Sequence, residues 1–201
     1  MGNIHSILKA LRLYEPNVEY TSDPQKIKAC KALVLPGDGA FAAAMDGLKP
    51  SRDLIQEHVR NERPLLGICI GFQVLFEDST ESDSGSGPIA GLGLLQGKIR
   101  KFSFEDKGVR VPHMGWNRLI APQTADNHSL EYLSSYMYFI HSYRAERIAP
   151  AEAVANCDYA GDVFPAIVRH KSILACQFHP EKSSDAGLAL LRDWVGGLSD
   201  V

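Results

Sequence analysis

The sequence predicts an α/β fold: a mostly parallel central sheet flanked by helices, with additional antiparallel strands. Two patterns carry this. In the first third of the chain, short apolar runs alternate with amphipathic stretches, the order of parallel strands and their covering helices. Beyond residue 97, runs rich in β-branched and aromatic residues are separated by turns.

Ile4, Ile7, Leu8 and Leu11 recur at helical spacing, so the chain opens on an amphipathic helix. Ala32-Leu33-Val34-Leu35, stopped by Pro36-Gly37-Asp38-Gly39, is the pattern of a parallel strand buried on both faces and ending in a sharp loop. A helix follows from Ser51 to Val59, its buried side marked by Leu54, Ile55, His58 and Val59. Pro64 to Ile68 is the second buried strand, and Phe72-Gln73-Val74-Leu75-Phe76 begins the next helix. Glu77 to Pro88, rich in Ser, Asp, Glu and Gly, is expected to be a mobile surface loop. Strands are expected at Gly97 to Phe102, Val109 to Ile120, Tyr136 to Tyr143, Ala166 to Arg169 and Ile173 to Phe178, the last two joined by a turn at His170-Lys171. Ser184 is a candidate cap for a final helix with Leu188, Leu191 and Val195 on one side.

The 201 residues show no internal repeat and no long linker, so one domain spanning 1–201 is expected. Hydrophobic residues at 45% and charged residues at 22% are the mix of a soluble chain with a sizeable core. A formal net charge of −3 argues against nucleic acid or an anionic membrane as the main partner. No apolar run approaches the roughly 20 residues that span a bilayer, and the N-terminus lacks the pattern of a signal peptide. Met1-Gly2 with Ser6 matches the loose myristoylation pattern, but the segment reads as the opening of a buried helix. Cys30, Cys69, Cys157 and Cys176 form no CxxC pair, which argues against zinc frameworks and a disulfide scaffold. The simplest reading is a cytosolic protein with reduced thiols, one of them available for chemistry.

Gly67-Ile68-Cys69-Ile70-Gly71 sits where a buried strand turns directly into a helix. A residue at such an elbow takes a strained backbone and projects its side chain clear of the sheet, with small neighbours giving room. A following helix N-terminus favours the thiolate, and the Ile70 amide would face an oxyanion formed there. By itself the pentapeptide fits equally a buried structural cysteine beside incidental glycines. Gln177-Phe178-His179-Pro180-Glu181 closes a predicted strand and places His179 and Glu181 on one face, the carboxylate orienting the imidazole. That histidine could take the thiol proton and later protonate a leaving amine. Pro36-Gly37-Asp38-Gly39-Ala40-Phe41, at another strand end, offers backbone amides for the other half of an oxyanion hole.

These three segments, in this order, resemble the class I (triad) glutamine amidotransferases, whose fold is flavodoxin-like. Val111-Pro112-His113-Met114-Gly115-Trp116-Asn117 narrows the resemblance to the glutaminase subunits of imidazole glycerol phosphate synthase, as do Val34 to Phe41, Leu65 to Gln73, Phe139 to Tyr143 and Gln177 to Ser183. The resemblance implies a catalytic triad of Cys69, His179 and Glu181, and an oxyanion hole at Gly37, Asp38 and Ile70. It implies a glutamine site at Gly37, Gln73, Ser142 and Tyr143. The implied partner is a (β/α)₈-barrel cyclase subunit, bound as a heterodimer through Asn3, Met114, Trp116, Asn117 and Lys182. That partner uses the ammonia to make imidazole glycerol phosphate and AICAR in histidine biosynthesis. No cofactor and no metal are implied, nor any nucleic acid or membrane.

The chain departs from the family twice. Family members carry a short apolar strand before the Gly-Asn that is here Gly2-Asn3. Losing a parallel strand would forfeit several hydrogen bonds at about 1 kcal/mol each, plus packing, in a domain with about 5–15 kcal/mol in hand. The expectation is that the true start lies upstream of Met1, which the mass of the native N-terminus tests. Asp38 stands where the family more often has an apolar residue, and its carboxylate is expected to face away from the oxyanion site. The alternative reading is an N-terminally truncated, poorly active or non-catalytic partner of the same family. The Pro112 to Asn117 string would be missing from a cysteine peptidase, a γ-glutamyl hydrolase or another amidotransferase.

Overall fold

The computed structural model describes residues 4–82, 87–105, 108–121 and 131–200. Asn3, a predicted interface residue, and 83–86 of the predicted loop lie outside them.

The chain opens on α1 (Ile4–Leu11), which buries Ile7, Ala10 and Leu11. Next comes α2 (Pro24–Ala29), capped by the Asp23 side chain on Gln25 N–H with proline in its first turn. No helix is expected there from apolar spacing, although Asp23-Pro24 is a readable start signal. β1 (Leu33–Leu35) leads into α3 (Phe41–Leu48), then α4 (Arg52–Arg60) and β2 (Leu65–Ile68).

α5 (Ile70–Gln73) is shorter than its apolar sequence suggests. The carbonyls of Val74, Leu75 and Phe76 accept amides of Leu92, Leu94, Leu95 and Gly93 from a returning loop, so they are not left for a longer helix. The expected loop is also partly ordered sheet: β3 (Asp78–Ser79) pairs antiparallel with β4 (Ile89–Ala90) and parallel with β5 (Lys98–Lys101). Ser79 is fully buried.

β6 (His113–Ile120) starts four residues later than expected, beyond Pro112, which has no N–H for a ladder. The run Tyr136 to Tyr143 is two strands, β7 (Tyr136–His141) and β8 (Tyr143–Glu146), broken at Ser142 because they belong to different sheets. β9 (Ala153–Tyr159) lies where the sequence pattern predicts no strand. β10 (Asp162–His170) and β11 (Ile173–Cys176) follow, joined by a turn with Lys171 at φ 50. The last helix, α6 (Ser184–Gly196), is preceded by Ser183 at its N-cap rather than by Ser184.

The larger sheet runs β1-β2-β11-β10-β9-β6-β7 and the smaller β4-β3-β5-β8. Parallel register in the larger sheet is confined to β1, β2 and β11, and the antiparallel extension is longer than the sequence pattern suggests. β1 lies at the sheet edge among the described residues, so Leu33 and Val34 stay partly exposed instead of buried on both faces.

Alternation along the central strands divides the core. Leu66 and Ile68 of β2, with Leu174 and Cys176 of β11, pack towards α1 and α6. Leu65, Ile173 and Ala175 pack on the other face with Phe41 and Met45 of α3 and Ile55 of α4. Sandwiched this way, β2 and β11 end rigidly side by side, and the next residue after each strand has a fixed direction.

Candidate active site

Cys69 is the first residue beyond β2, with φ 55 and ψ −107, a conformation that costs a non-glycine residue about 1–3 kcal/mol. Its backbone is held from both sides. Its N–H donates to Cys176 O at 2.9 Å, and its carbonyl accepts Phe72 and Gln73 N–H. The two flanking glycines are explained by contact. A Cβ on Gly67 would stand 2.8 Å from Gly71 O, and one on Gly71 would run into the Leu35 carbonyl of β1. α5 is a single turn of four residues, so no long helix dipole stands behind Cys69.

His179 and Glu181 meet as expected, but for a different reason. β11 ends at Cys176, and Glu181 lies in a 3-10 turn, Pro180–Lys182, so the two do not share a strand face. The turn brings Glu181 Oε1 to 2.8 Å from His179 Nδ1, with both side chains shut off from solvent. Ser183 secures the turn: its hydroxyl donates to His179 O at 2.6 Å and accepts Tyr138 N–H at 3.0 Å, while His179 N–H donates to Tyr138 O. Burial opposes a charge on His179, but the hydrogen bonds and charges of Cys69 and Glu181 outweigh it. The imidazole is pushed up to about 9.

The Cys69 sulfur also has the Ile140 carbonyl at 4.0 Å and the amide of Gln177 at 3.9 Å. Gln73 is buried, and its Nε2 donates to Tyr143 O at 2.9 Å and to Gln177 Oε1 at 3.0 Å. Both N–H donors of Gln73 are thereby engaged, and what it can offer a ligand is its Oε1 acceptor. Gln177 is a site residue that sequence reasoning misses. The available signal was a lone polar residue between the apolar run Ile173 to Cys176 and Phe178, two positions before His179, and the structure buries it fully.

Gly37 lies directly against Ile70, whose Cγ2 a side chain at Gly37 would strike, so the two segments expected to form an oxyanion hole touch. Asp38 is exposed. The following helix is tied to β3's loop, because Phe41 N–H donates to Glu81 Oε2 at 2.9 Å. Ser142 is half-buried and its carbonyl accepts Phe102 N–H.

This arrangement pairs a strained cysteine with a buried, carboxylate-oriented imidazole, as nucleophilic acyl transfer requires. The family model for class I glutamine amidotransferases matches residues 1–195. The chain belongs to the class I glutamine amidotransferases. It is 40% identical over 194 residues to the imidazole glycerol phosphate synthase subunit HisH of Pyrococcus furiosus, covering 96% of this chain and 93% of that one. The same-named subunit of Nostoc punctiforme is 41% identical over 202 residues, covering 97% and 91%. A crystal structure of glutamine amidotransferase superposes with TM-score 0.72 at 21% identity, covering 98% of this chain and 94% of the other. The structure of PurLQS from Thermotoga maritima superposes with TM-score 0.66 at 18% identity, covering 98% and 93%. These two likenesses bear on fold.

The amidotransferase also carries an exposed apolar strip on β6 and β7. Met114 is 59% exposed, Trp116 53% and Tyr136 59%, and Met114 stands opposite Ile140 and Trp116 opposite Tyr138. Lys182 is exposed. Asn117 is not on this strip: it alternates with Trp116 along β6 and its Nδ2 donates to Asp158 O at 2.9 Å. Among the described residues no group of three His, Cys, Asp or Glu side chains is placed to hold a metal ion, and no helix is long and apolar enough to cross a membrane.

Proposed function

We propose that this amidotransferase is the glutaminase subunit of an imidazole glycerol phosphate synthase, acting as one domain and supplying ammonia to a separate cyclase subunit. The observation that carries the reading is the buried Cys69–His179–Glu181 arrangement beyond the end of β2. His179 takes the Cys69 proton, and the sulfur attacks the side-chain carbonyl carbon of glutamine. The oxyanion is held by amides of Gly37, Asp38 and Ile70. Its collapse breaks the C–N bond, and His179 protonates the departing ammonia. Water then attacks the glutamyl thioester while His179 accepts its proton. The C–S bond breaks, glutamate leaves, and Cys69 is protonated again. Gln73, Ser142 and Tyr143 orient the substrate, and Glu181 fixes the imidazole throughout.

The partner is a (β/α)₈-barrel cyclase that completes the imidazole ring with this ammonia, yielding imidazole glycerol phosphate and AICAR in the cytoplasm. Support for its docking site is the strip around Met114 and Trp116, an exposed apolar surface of the kind that marks protein partners. Lys182, exposed at the end of the turn that carries Glu181, is assigned to the same docking face.

The test mixes the protein with a histidine-pathway cyclase and measures imidazole glycerol phosphate formed from glutamine or from ammonium. Cys69→Ala is expected to abolish the glutamine-dependent reaction and spare the ammonium-dependent one. Equal loss of both would make Cys69 structural and defeat the reading.

A further inference from the structure

The geometry points to Gln177 as a positioning residue that presents an N–H to the Cys69 sulfur, in an orientation dictated by the Tyr143 carbonyl. The inference rests on Cys69 being the nucleophile proposed above.

Each group in this chain is constrained by what its neighbour is able to donate or accept. A carbonyl oxygen only accepts hydrogen bonds, and Tyr143 O faces Gln73 at 2.9 Å. Gln73 must therefore turn its NH₂ towards Tyr143. The second hydrogen of that NH₂ is directed at Gln177, 3.0 Å away, so Gln177 must meet it with its oxygen. The NH₂ of Gln177 is then left on the side of Cys69, 3.9 Å from the sulfur. Neither amide can flip without setting two donors or two acceptors against each other in a site closed to water, a cost of about 1–3 kcal/mol for each group left unpaired. Gln177 is fully buried and Gln73 nearly so, so solvent cannot relieve a wrong orientation.

The same carbonyl polarises a second arm. His141 Nδ1 donates to Tyr143 O at 2.8 Å, so the neutral ring accepts at Nε2, and His113 Nδ1 donates to it at 3.1 Å. One backbone oxygen thus sets the direction of hydrogen bonds from β6 to the nucleophile. An N–H aimed at sulfur lowers the energy of the thiolate that attacks and of the thiolate that leaves when the thioester is hydrolysed. Gln177 makes no proton transfer. It fixes the sulfur's position and its charge.

The experiment follows alkylation of Cys69 by iodoacetamide with peptide mass mapping, alongside steady-state glutamine hydrolysis in the presence of the cyclase. Gln177→Met keeps the length and removes both polar atoms. Gln177→Glu keeps an acceptor for Gln73 but offers the sulfur no N–H. Each is expected to slow Cys69 alkylation about ten- to a hundredfold, the range spanned by a hydrogen bond to a charged group. kcat should fall in parallel, with KM within about twofold. Gln73→Glu in its ionised form has no donor for Gln177 Oε1, so it turns the Gln177 NH₂ away from Cys69 and should slow the alkylation similarly with Gln177 intact.

Unaltered Cys69 alkylation in these variants overturns the proposal. So does slowing at Cys69 accompanied by faster alkylation of the buried Cys157 and Cys176, which marks a general loosening. The nucleophile reading fails separately, through the Cys69→Ala result, which these rates do not touch.

Discussion

His179 combines two properties that ordinarily exclude each other: it is fully buried, and it is held in its charged form up to about 9. Burial works against the charge, and the Cys69 and Glu181 contacts overcome it. An unfolded histidine titrates near 6.5, so the folded state binds the extra proton in the interval between. This contribution to stability is complete below about pH 6.5 and is lost as pH rises through about 9. Glu181→Gln removes the charge at 2.8 Å from Nδ1. Its thermal midpoint should fall less than the unchanged protein's between pH 6.5 and 9, and its glutamine-dependent kcat should drop about 10²-fold, the scale of general acid–base catalysis. Calorimetry and steady-state kinetics across that range check both, and a parallel pH profile with undiminished kcat would contradict the role. The residues of this site differed in how readable they were. The Cys69 elbow was legible because glycines at both flanks serve local contacts. The His179–Glu181 pairing was legible only as a spacing, since a 3-10 turn brings about the contact expected of a strand. Glu81 left no trace in its own neighbourhood, because its bond is to the Phe41 amide forty residues away.

At the scale of elements, β6 and β7 show what a period of two does when only one face has a core behind it. His113 and Leu119 of β6, with Met137, Phe139 and His141 of β7, turn inward and are buried. Met114, Trp116, Tyr136 and Ile140 turn outward, and the Trp116 and Tyr138 rings meet edge-on with centroids 6.1 Å apart. An outward apolar face of this composition is of the kind that marks a partner surface. Tryptophan at the centre of such a patch is the residue type that most often dominates binding. Trp116→Ala is therefore expected to weaken association with the cyclase by about 2 kcal/mol or more, roughly thirtyfold in Kd. Isothermal titration calorimetry measures this, with the melting temperature as the check on folding. An unchanged Kd would remove Trp116 from the interface. The position of Asn117 on the opposite side followed from the same alternation, and the strand register decides it where a motif alone does not.

For the whole molecule, the parallel β1-β2-β11 centre was legible because strands covered on both faces are written as continuous apolar runs. The antiparallel wing was less so. β9 buries small residues, Ala155 and Cys157, alternating with Asn156 and Asp158, and small residues carry little hydrophobic signal. Inside that wing, His113 of β6 stacks on Tyr159 of β9 at 4.0 Å and on Phe139 of β7 at 4.8 Å. Phe164 of β10 and Phe102 lie edge-on beside it. Burial lowers His113 to about 4; it also lowers His141 to about 3, helped by the neighbouring histidines and opposed by the bond to Tyr143 O. Both are neutral in the folded protein at pH 6.5 and below it, where the unfolded chain takes up protons. The unfolded state then binds more protons than the folded one. Stability contributed by the pair is present above about pH 6.5 and drains away as pH falls towards 4. His113→Phe keeps the stacking and removes one of the two titrating rings, at the cost of leaving His141 Nε2 without its donor, about 1–3 kcal/mol at all these pH values. Urea midpoints measured at pH 6.5, 5.5 and 4.5 should therefore start lower in this variant but decline less steeply than in the unchanged protein. Carboxylates contribute equally to both proteins, so a slope identical in the two would mean that the buried pair does not govern acid unfolding.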